Sequence, residues 1–298
     1  MTRDGDIDGW GGDRRPILVT GSHRSGSSWV GKMIATSPRI GYIHEPFNVD
    51  HHPGVCPMVV PFWFLYLTED NAREFAPHLD RTLRFSYSPL AELIAVRRPR
   101  HLGRLLFDGA DFAKYRFQRR RPLIKDPLAL FSAEWLASNY DMKVVLLVRH
   151  PAAFASSVRR QEYRHPFSHF LQQPRLMHDH LESFESDIQA MHDHTPDSIE
   201  ESALLWRITT HMTLKLKDSH PDWLFYRYED LASDPAESFE RIFNMLHLEF
   251  NSEIRDRIVR STHPNISGWR RHLSRREIDV LRSEVDELAG LLYTDADW

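Results

Sequence analysis

A short glycine-spaced loop between a predicted strand and a predicted helix constrains this chain more than any other feature. The apolar run Pro16–Thr20 leads into the loop, Gly21–Ser28 forms it, and a helical pattern follows over Ser27–Ser37. Such a loop points backbone N–H groups and the positive end of the helix dipole at one spot. The sequence therefore predicts an anion site within an α/β fold.

The loop lacks the lysine of an ATP- or GTP-binding loop. That motif reads G-x-x-x-x-G-K-[ST]; its lysine reaches the β- and γ-phosphates, and its hydroxyl holds Mg²⁺. Here Ser27 occupies the lysine position, and the nearest cation is Arg24, inside the loop. The pattern favours a phosphate-like group over a triphosphate–metal complex.

Composition and charge narrow the class of protein. Of the 298 residues, 41% are hydrophobic and 27% are charged, and the net charge of −4 gives no reason to expect a nucleic-acid partner. The single cysteine, Cys56, excludes an intrachain disulfide. The apolar stretch Val59–Leu67 is far shorter than the roughly 20 residues of a membrane span. We expect a cytoplasmic protein without an integral membrane segment; its oligomeric state is not readable from the sequence.

Apolar runs alternate with helical patterns along the chain, which is typical of a doubly wound α/β fold. We expect a P-loop NTPase-like parallel sheet of about five strands flanked by helices. The predicted strands are Pro16–Thr20, Ile40–Ile43, Pro122–Lys125, Lys143–Val148 and Trp223–Tyr228. The main predicted helices are Ser27–Ser37, Phe131–Ser138, Pro151–Arg160, Ser198–Ser219, Pro235–Leu246 and Arg275–Leu292.

The alternation also predicts the domain organisation. Residues 1–15 are polar and rich in glycine and aspartate, so we expect a flexible tail, followed by a single domain over residues 16–298. Two segments, at about 47–121 and 161–196, interrupt the alternation. In open α/β sheets such segments cover the carboxyl ends of strands, where ligands bind. We predict that both are helical insertions that cap the substrate.

A second cationic position follows the fourth predicted strand. Lys143–Val148 ends in Arg149, where a nucleotide triphosphatase often has a Mg²⁺-binding aspartate. Ser157 follows eight residues later, and its position on the predicted helix directs it to the same side as the strand end. An arginine fork and a hydroxyl form a receptor for a separate phosphate. Together with the loop, they describe a nucleotide phosphorylated in two places.

These motifs resemble the sulfotransferases that use 3′-phosphoadenosine-5′-phosphosulfate (PAPS). In that family a loop like Arg24–Trp29 holds the 5′-phosphosulfate, and a pair like Arg149 and Ser157 binds the 3′-phosphate. Trp223–Tyr228, followed by Glu-Asp-Leu, is similar to the family's strand ending in Tyr-Glu-Asp, whose tyrosine lies near the adenine. The Ser-Gly-Trp-Arg segment at 267–270 is similar to the family's late segment that closes over the nucleotide. The resemblance runs from about Pro16 to Leu292.

The resemblance implies PAPS as the sulfuryl donor and adenosine 3′,5′-bisphosphate (PAP) as the product, with no metal. The residues that it implies for donor binding are Arg24, Ser25, Gly26, Ser27, Ser28, Trp29, Arg149, Ser157, Tyr228, Trp269 and Arg270. Ser27 and Ser28 have a second interpretation as N-caps of the following helix. Trp29 and Tyr228 either stack on the adenine or belong to the core.

The loop and the Tyr42–Phe47 segment are closer to carbohydrate and bacterial sulfotransferases than to cytosolic phenol and steroid enzymes. The cytosolic enzymes have a histidine base in a Lys-Thr-His segment, where this chain has Lys-Asp-Pro at 125–127. Glu45 is therefore the candidate base; alternatively, it pairs with a nearby arginine. Arg24 is expected to stabilise the leaving group. Lys125 faces the sulfuryl group or pairs with Asp126 or a helix C-terminus.

The predicted function is transfer of a sulfuryl group to a hydroxyl, or secondarily an amine, of a carbohydrate, glycolipid or natural product. The aromatic run Phe62–Tyr66 either lines the acceptor pocket or lies in an interior helix. The arginines at Arg97–Arg98 and Arg119–Arg121 either suit an anionic acceptor or are solvated. The sequence also allows two other functions: a P-loop nucleotide kinase, and a non-catalytic module that binds an adenosine bisphosphate.

The 18 histidines do not predict a metal site. The densest groups, at 51–52, 178–180 and 192–194, have spacings that point rings in different directions on a helix. The i,i+4 spacing of H-E-x-x-H is absent from them. We predict no metal.

Overall fold

The computed structural model describes residues 13–96, 100–194, 197–262 and 266–298. Most of the predicted tail, residues 1–12, and the arginines at 97 and 98 lie outside the described residues.

A five-stranded parallel sheet forms the centre of the molecule, as predicted. In spatial order the strands are β2 (Ile40–His44), β3 (Arg121–Lys125), β1 (Ile17–Gly21), β4 (Lys143–Val148) and β5 (Leu224–Arg227), so β1 is central, flanked by β3 and β4, and β2 and β5 are the edge strands. In a doubly wound sheet this arrangement leaves a crevice at the carboxyl ends of the strands beside β1.

Helices cover both faces of the sheet and make up much of the two predicted insertions. The α-helices are α1 (Ser27–Ile34), α2 (Ala72–Leu83), α3 (Pro89–Ala95), α4 (Arg100–Phe117), α5 (Ala133–Tyr140), α6 (Pro151–Arg160), α7 (Ser168–Leu171), α8 (Pro174–Leu176), α9 (Glu185–Asp193), α10 (Ser198–Ser219), α11 (Tyr228–Ser233), α12 (Pro235–Met245), α13 (Ser252–Ser261) and α14 (Arg275–Ala289). Shorter 3₁₀ turns are at Pro127–Ser132, Glu182–Phe184, Gly268–Arg271 and Asp295–Asp297, and a π turn is at Met177–Leu181.

The strand sequences explain why the sheet is covered on both sides. In β1, Leu18 belongs to the core on one face, while Ile17 and Val19 belong to the core on the other. Trp206 of α10 is fully buried in the first core, and Phe239 of α12 in the second. Burying one such side chain stabilises the fold by about 1.5–3 kcal/mol. The two cores hold the strand ends, and therefore the loops after them, in fixed positions.

A helix that crosses a bilayer needs about 20 predominantly apolar residues. No helix in the described ranges is long and apolar enough to cross a membrane.

Candidate active site

A cavity of about 400 Å³ opens at the carboxyl edge of the sheet. Its walls come from the segments that follow β1, β2, β3 and β4, and from the start of α11. The predicted residues that line it are Arg24, Gly26, Ser27, Ser28, Trp29, Glu45, Arg149 and Tyr228. The structure therefore brings most of the predicted site into one cavity.

Two glycines shape the loop after β1. Gly21 has a φ of +138°, and a Cβ there would lie 2.0 Å from the carbonyl oxygen of Leu147. Gly26 has a φ of +90°, and its Cβ would lie 2.4 Å from Cδ2 of Tyr228. Only glycine fits this combination of left-handed backbone and close approach. The loop is therefore held tightly against β4 and α11.

The N-cap of α1 is Gly26, and no side chain caps this helix. The alternative interpretation of Ser27 and Ser28 as N-caps is therefore wrong. The physical reason is the positive φ at Gly26, which starts the helix one residue earlier and places Ser27 inside its first turn. The first N–H groups of α1 have no side-chain acceptor and are available to an anion.

Several loop hydroxyls are buried without a partner. Ser22 and Ser25 are fully buried, and neither Oγ forms a hydrogen bond; the same is true of Oγ1 of Thr20 at the end of β1. A buried hydroxyl without a partner costs about 1–3 kcal/mol. An oxyanion in the loop would satisfy such groups, so the loop has the chemistry of a phosphate or sulfate site.

Arg24 connects the loop to the other predicted anion-binding residues. Its backbone is left-handed, with a φ of 63°. Its Nε donates to Oγ of Ser157 at 2.9 Å, and its carbonyl oxygen accepts from Nη1 of Arg149 at 3.0 Å. Burial, together with the charges of Arg149 and Arg160, lowers the pKa of Arg24 below its ordinary value. The guanidinium groups of Arg24 and Arg149 therefore repel each other, and an anion bound between them would relieve this repulsion.

Arg149 continues the site towards α11. Its guanidinium carbon lies 4.5 Å from the ring centroid of Tyr228, and its Nε is buried without a partner. Tyr228 contacts Trp29 edge to face, with ring centroids 5.7 Å apart. This side of the cavity combines a cation with two aromatic rings, a composition that suits a phosphorylated nucleoside.

Glu45 forms an ion pair with Lys125 at the other side of the cavity. Its Oε2 also accepts from Nδ2 of Asn48 at 2.9 Å, and its backbone N–H donates to the carbonyl oxygen of Lys125 at 2.9 Å. Burial raises the pKa of Glu45, but the charge of Lys125 and the bonds from Lys125 and Asn48 outweigh it, so the pKa is lowered. Glu45 is an ionised carboxylate that lines the cavity, whereas the Lys125 side chain is fully buried behind it.

The pairing of Glu45 differs from the alternative that the sequence left open. Its partner is a lysine of the neighbouring strand rather than an arginine, because β2 and β3 are parallel neighbours whose carboxyl ends lie together. The lysine has room because α1 has a glycine there: a Cβ on Gly31 would lie 3.0 Å from Cγ of Lys125.

Asp126 ties the loops after β2 and β3 together. Its carboxylate is fully buried and accepts from the backbone N–H of Phe47 at 2.6 Å and of Leu128 at 2.9 Å. Burial and the nearby charge of Glu45 raise the pKa of Asp126 to about 7. These bonds fix the position of Glu45 relative to the third strand.

Sequence reasoning missed several cavity residues. His23, Asn48, Trp63 and Tyr163 all line the cavity. His23 is 6% exposed, and neither of its ring nitrogens has a hydrogen-bond partner. Its ring lies 4.9 Å from that of Tyr163, and the rings of Tyr163 and Trp63 lie 5.1 Å apart. His23 belongs to the glycine-spaced loop and Trp63 to the aromatic run Phe62–Tyr66, whereas no sequence signal marks Tyr163.

Trp269 and Arg270 lie outside the cavity. The ring of Trp269 stacks on His150, which follows Arg149, with centroids 5.3 Å apart. The guanidinium of Arg270 lies 4.9 Å from the Trp269 ring and donates to the carbonyl oxygen of Trp298. Their role in donor binding stays a prediction.

The arginines of the 119–121 run are not at this site. Arg121 opens β3, so the run lies at the amino edge of the sheet, opposite to the cavity. The run is separated from the cavity by about one strand length, roughly 16 Å, and its part in binding an anionic or large polar acceptor stays a prediction.

Within residues 13–96, 100–194, 197–262 and 266–298, no cluster of three or more His, Cys, Asp or Glu side chains is arranged to hold a metal ion. His51, for example, contacts the carbonyl oxygens of Asn48 and Cys56.

Solved structures to which the chain is similar at low sequence identity include sulfotransferases. The sulfotransferase domain of the Synechococcus PCC 7002 olefin synthase is 18% identical; the match covers 99% of each chain, with a TM-score of 0.43. A sulfotransferase from Alicyclobacillus acidocaldarius is 15% identical over 95% of this chain and 97% of its own, with a TM-score of 0.48. A mouse sulfotransferase complexed with PAP is 12% identical over 96% and 88%, with a TM-score of 0.45.

No curated protein sequence matches the chain. A family model does: the model described as "Sulfotransferase family" matches residues 16–252, which include the loop after β1, Glu45, Arg149 and Tyr228. This match spans most of the chain and both sides of the cavity. The chain therefore belongs to the sulfotransferase family.

Proposed function

We propose that this chain transfers the sulfuryl group of PAPS to a hydroxyl group of an acceptor. The observation that carries the proposal is that unpartnered hydroxyls and two cations converge on one loop. Ser22 and Ser25 present buried hydroxyls there, and Arg24 and Arg149 present cations. Ser27 replaces the lysine that a triphosphate requires.

The donor fits the residues on the α11 side of the cavity. The loop from Arg24 to Trp29 would hold the 5′-phosphosulfate through its N–H groups and hydroxyls. Arg149, with its unpartnered Nε, and Ser157 would hold the 3′-phosphate. Tyr228 and Trp29 would contact the adenine. PAP is the nucleotide named for the mouse relative, which agrees with this assignment.

Glu45 is the proposed base. PAPS supplies an activated sulfuryl group whose bond to the phosphate oxygen breaks as the acceptor oxygen bonds to sulfur. The acceptor proton passes to the Glu45 carboxylate, and the phosphate oxygen of PAP keeps the bonding electrons. Lys125 holds Glu45 in place through their ion pair, and Arg24 stabilises the charge on the leaving phosphate. Positioning and electrostatics supply most of the rate enhancement in such transfers.

The acceptor is proposed to be a carbohydrate, a glycolipid or a glycosylated natural product. Its hydroxyl would enter on the side of Glu45 and Asn48, where Trp63 and Tyr163 also line the cavity. Aromatic faces at this place suit stacking on sugar rings. Trp63 belongs to the first insertion and Tyr163 to the second. Their positions support the proposal that both insertions cap the acceptor within one domain of residues 16–298.

Isothermal titration with PAP and with ATP–Mg²⁺ tests the donor assignment. We expect PAP to bind at least tenfold more tightly than ATP–Mg²⁺, and Arg149→Ala to weaken PAP binding. Tighter binding of ATP–Mg²⁺ would indicate a kinase and overturn the proposal.

A screen of hydroxyl-bearing acceptors with radiolabelled PAPS then identifies the acceptor. We expect label transfer to a carbohydrate or glycosylated compound. PAP binding without transfer to any hydroxyl or amine acceptor would favour the non-catalytic module.

A further inference from the structure

A second and larger cavity lies at the opposite edge of the sheet. Its volume is about 860 Å³. The residues that line it include Arg39, which precedes β2, and Arg121, which is the first residue of β3. Because the strands are parallel, a strand length of roughly 16 Å separates this edge from Glu45 and Lys125. We call it the arginine cavity; it shares no lining residue with the active-site cavity.

The arginine cavity has a large excess of positive charge. Seven of its lining residues are arginines, and one, Asp13, is acidic. The carboxylate of Asp13 is already engaged by Arg15 at 2.7 Å and lies 3.7 Å from Nη2 of Arg121. The C-termini of α2 and α4 each add about half a negative charge. Arg84, Arg116 and Arg120 form no ion pair with a carboxylate among the described residues, so positive charge remains in the cavity although the whole chain has a net charge of −4.

Some of these arginines build the wall of the cavity. Arg121 is buried and donates to the carbonyl oxygens of Arg15 and Leu246, both at 2.5 Å. Arg120 donates to Oε1 of Gln118 at 2.8 Å and to the carbonyl oxygen of Ile40 at 3.2 Å. These bonds hold positive charge at the ends of β2 and β3 before any ligand binds.

Other arginines are available to a ligand. Arg84 follows α2 and Arg116 lies in the last turn of α4; both are exposed, and they enter the cavity from different helices. Arg116 contacts Oγ of Ser86 at 3.4 Å, and neither guanidinium pairs with a carboxylate among the described residues. Phe117, which also lines the cavity, is 90% exposed.

We propose that the arginine cavity binds a soluble ligand that carries several sulfate or phosphate groups. Guanidinium groups match the oxygen geometry of these anions bidentately, which favours arginine over lysine at such sites. A concave cavity of this size encloses a small or oligomeric solute, whereas a membrane surface is flat. The apolar side chains of Phe117 and Leu83 would contact the carbon skeleton between the anionic groups.

Inositol hexakisphosphate is the probe for this site, with the full chain saturated with PAP so that the active-site loop is occupied. We expect calorimetry to detect binding that falls at least tenfold in the Arg84→Glu/Arg116→Glu variant. The matched control is Arg255→Glu/Arg257→Glu on α13, where both arginines are exposed. It changes net charge equally, and we expect less than a threefold loss. PAP affinity should be unchanged in both variants.

A sulfated tetrasaccharide and vesicles containing phosphatidylserine distinguish the source of the anions. Binding of the tetrasaccharide with the same dependence on Arg84 and Arg116 supports the proposal for sulfated ligands. Binding of the vesicles alone would assign the surface to membranes and overturn it. Absence of inositol hexakisphosphate binding, or an equal loss in the two double variants, would also overturn it.

Discussion

Arg24 and Ser157 are separated by 133 positions in the chain and joined by a 2.9 Å hydrogen bond from Nε to Oγ. Ser157 is 3% exposed and lies on α6, while Arg24 lies in the loop after β1. The bond orients the one loop cation by means of a helix on the opposite side of the crevice. If Arg24 binds the donor as proposed, donor binding depends on α6 as well as on the loop.

Replacing Ser157 by alanine is expected to weaken PAP binding by about tenfold or more, because a hydrogen bond to a charged group contributes about 1.5–3 kcal/mol. Calorimetric titration with PAP measures the effect. Ser156→Ala, at the neighbouring buried serine, is the matched control and should keep wild-type affinity. Equal effects of the two changes would show that α6 packing, rather than the bond to Arg24, is responsible.

Glu45→Gln should remove turnover and leave PAP affinity nearly unchanged, because it removes the proposed base but no donor contact. It also leaves Lys125 buried without its counter-ion, which costs about 3–5 kcal/mol of unfolding free energy. The readouts are kcat with the acceptor found by the screen, PAP affinity and urea denaturation.

The double variant Glu45→Gln/Lys125→Met separates these two effects. With both charges removed, we expect most of the stability to return and turnover to stay absent. Full turnover in either variant would disprove the assignment of Glu45.

Gly26→Ala is expected to abolish PAP binding, because the new Cβ would collide with Tyr228 and the φ of +90° strains any other residue. The control is Gly103→Ala in α4, where nothing lies within 4 Å of the added carbon. That change should raise stability by roughly 0.5–1 kcal/mol through helix propensity. PAP titration and thermal unfolding test both; retained binding in Gly26→Ala would contradict the tight loop.

His23 should make the free energy of unfolding decrease at acidic pH. Burial, with the charge of Arg24, lowers the pKa of His23 from 6.5 to about 3, so the folded state keeps the ring neutral where the unfolded chain binds a proton. This contribution to stability is complete above pH 6.5 and is lost as the pH falls towards 3. In His23→Asn, the loss of unfolding free energy from ~pH 7 to ~pH 4 should shrink by roughly 3 kcal/mol.

The measurement is urea denaturation at a series of pH values. His192→Asn, at an exposed histidine, is the control and should follow the wild-type pH dependence. An identical pH dependence in His23→Asn and the wild type would contradict a neutral buried ring.

Much of the sheet could be predicted because its three inner strands, β1, β3 and β4, are largely buried and read as short apolar runs. Lys143–Val148 has the predicted boundaries, and the second strand extends one residue further, to His44. The predicted loop also lies at the carboxyl edge. These features depend on local sequence, which determines periodicity and turn geometry.

The pairings inside the site could not be predicted in the same way. Glu45 and Lys125 are 80 positions apart, and their contact depends on β2 and β3 being neighbours. Ser157 was expected to act with Arg149 but bonds to Arg24, since the direction of a side chain on α6 depends on how that helix packs. Tyr163 lies in an irregular segment, and only the tertiary structure brings it to the cavity.

The origin of the cavity walls has a consequence for changes of specificity. Arg24, Arg149 and Tyr228 follow β1, β4 and β5, whereas Trp63 and Tyr163 belong to the two insertions. The first insertion begins after β2 ends at His44, and the second begins after α6 ends at Arg160, so neither contains a residue of β1, β4 or β5, which precede the proposed donor residues. A library confined to Trp63 and Tyr163, the partly exposed insertion residues that line the cavity, would therefore vary the proposed acceptor side and leave Arg24, Arg149 and Tyr228 unchanged.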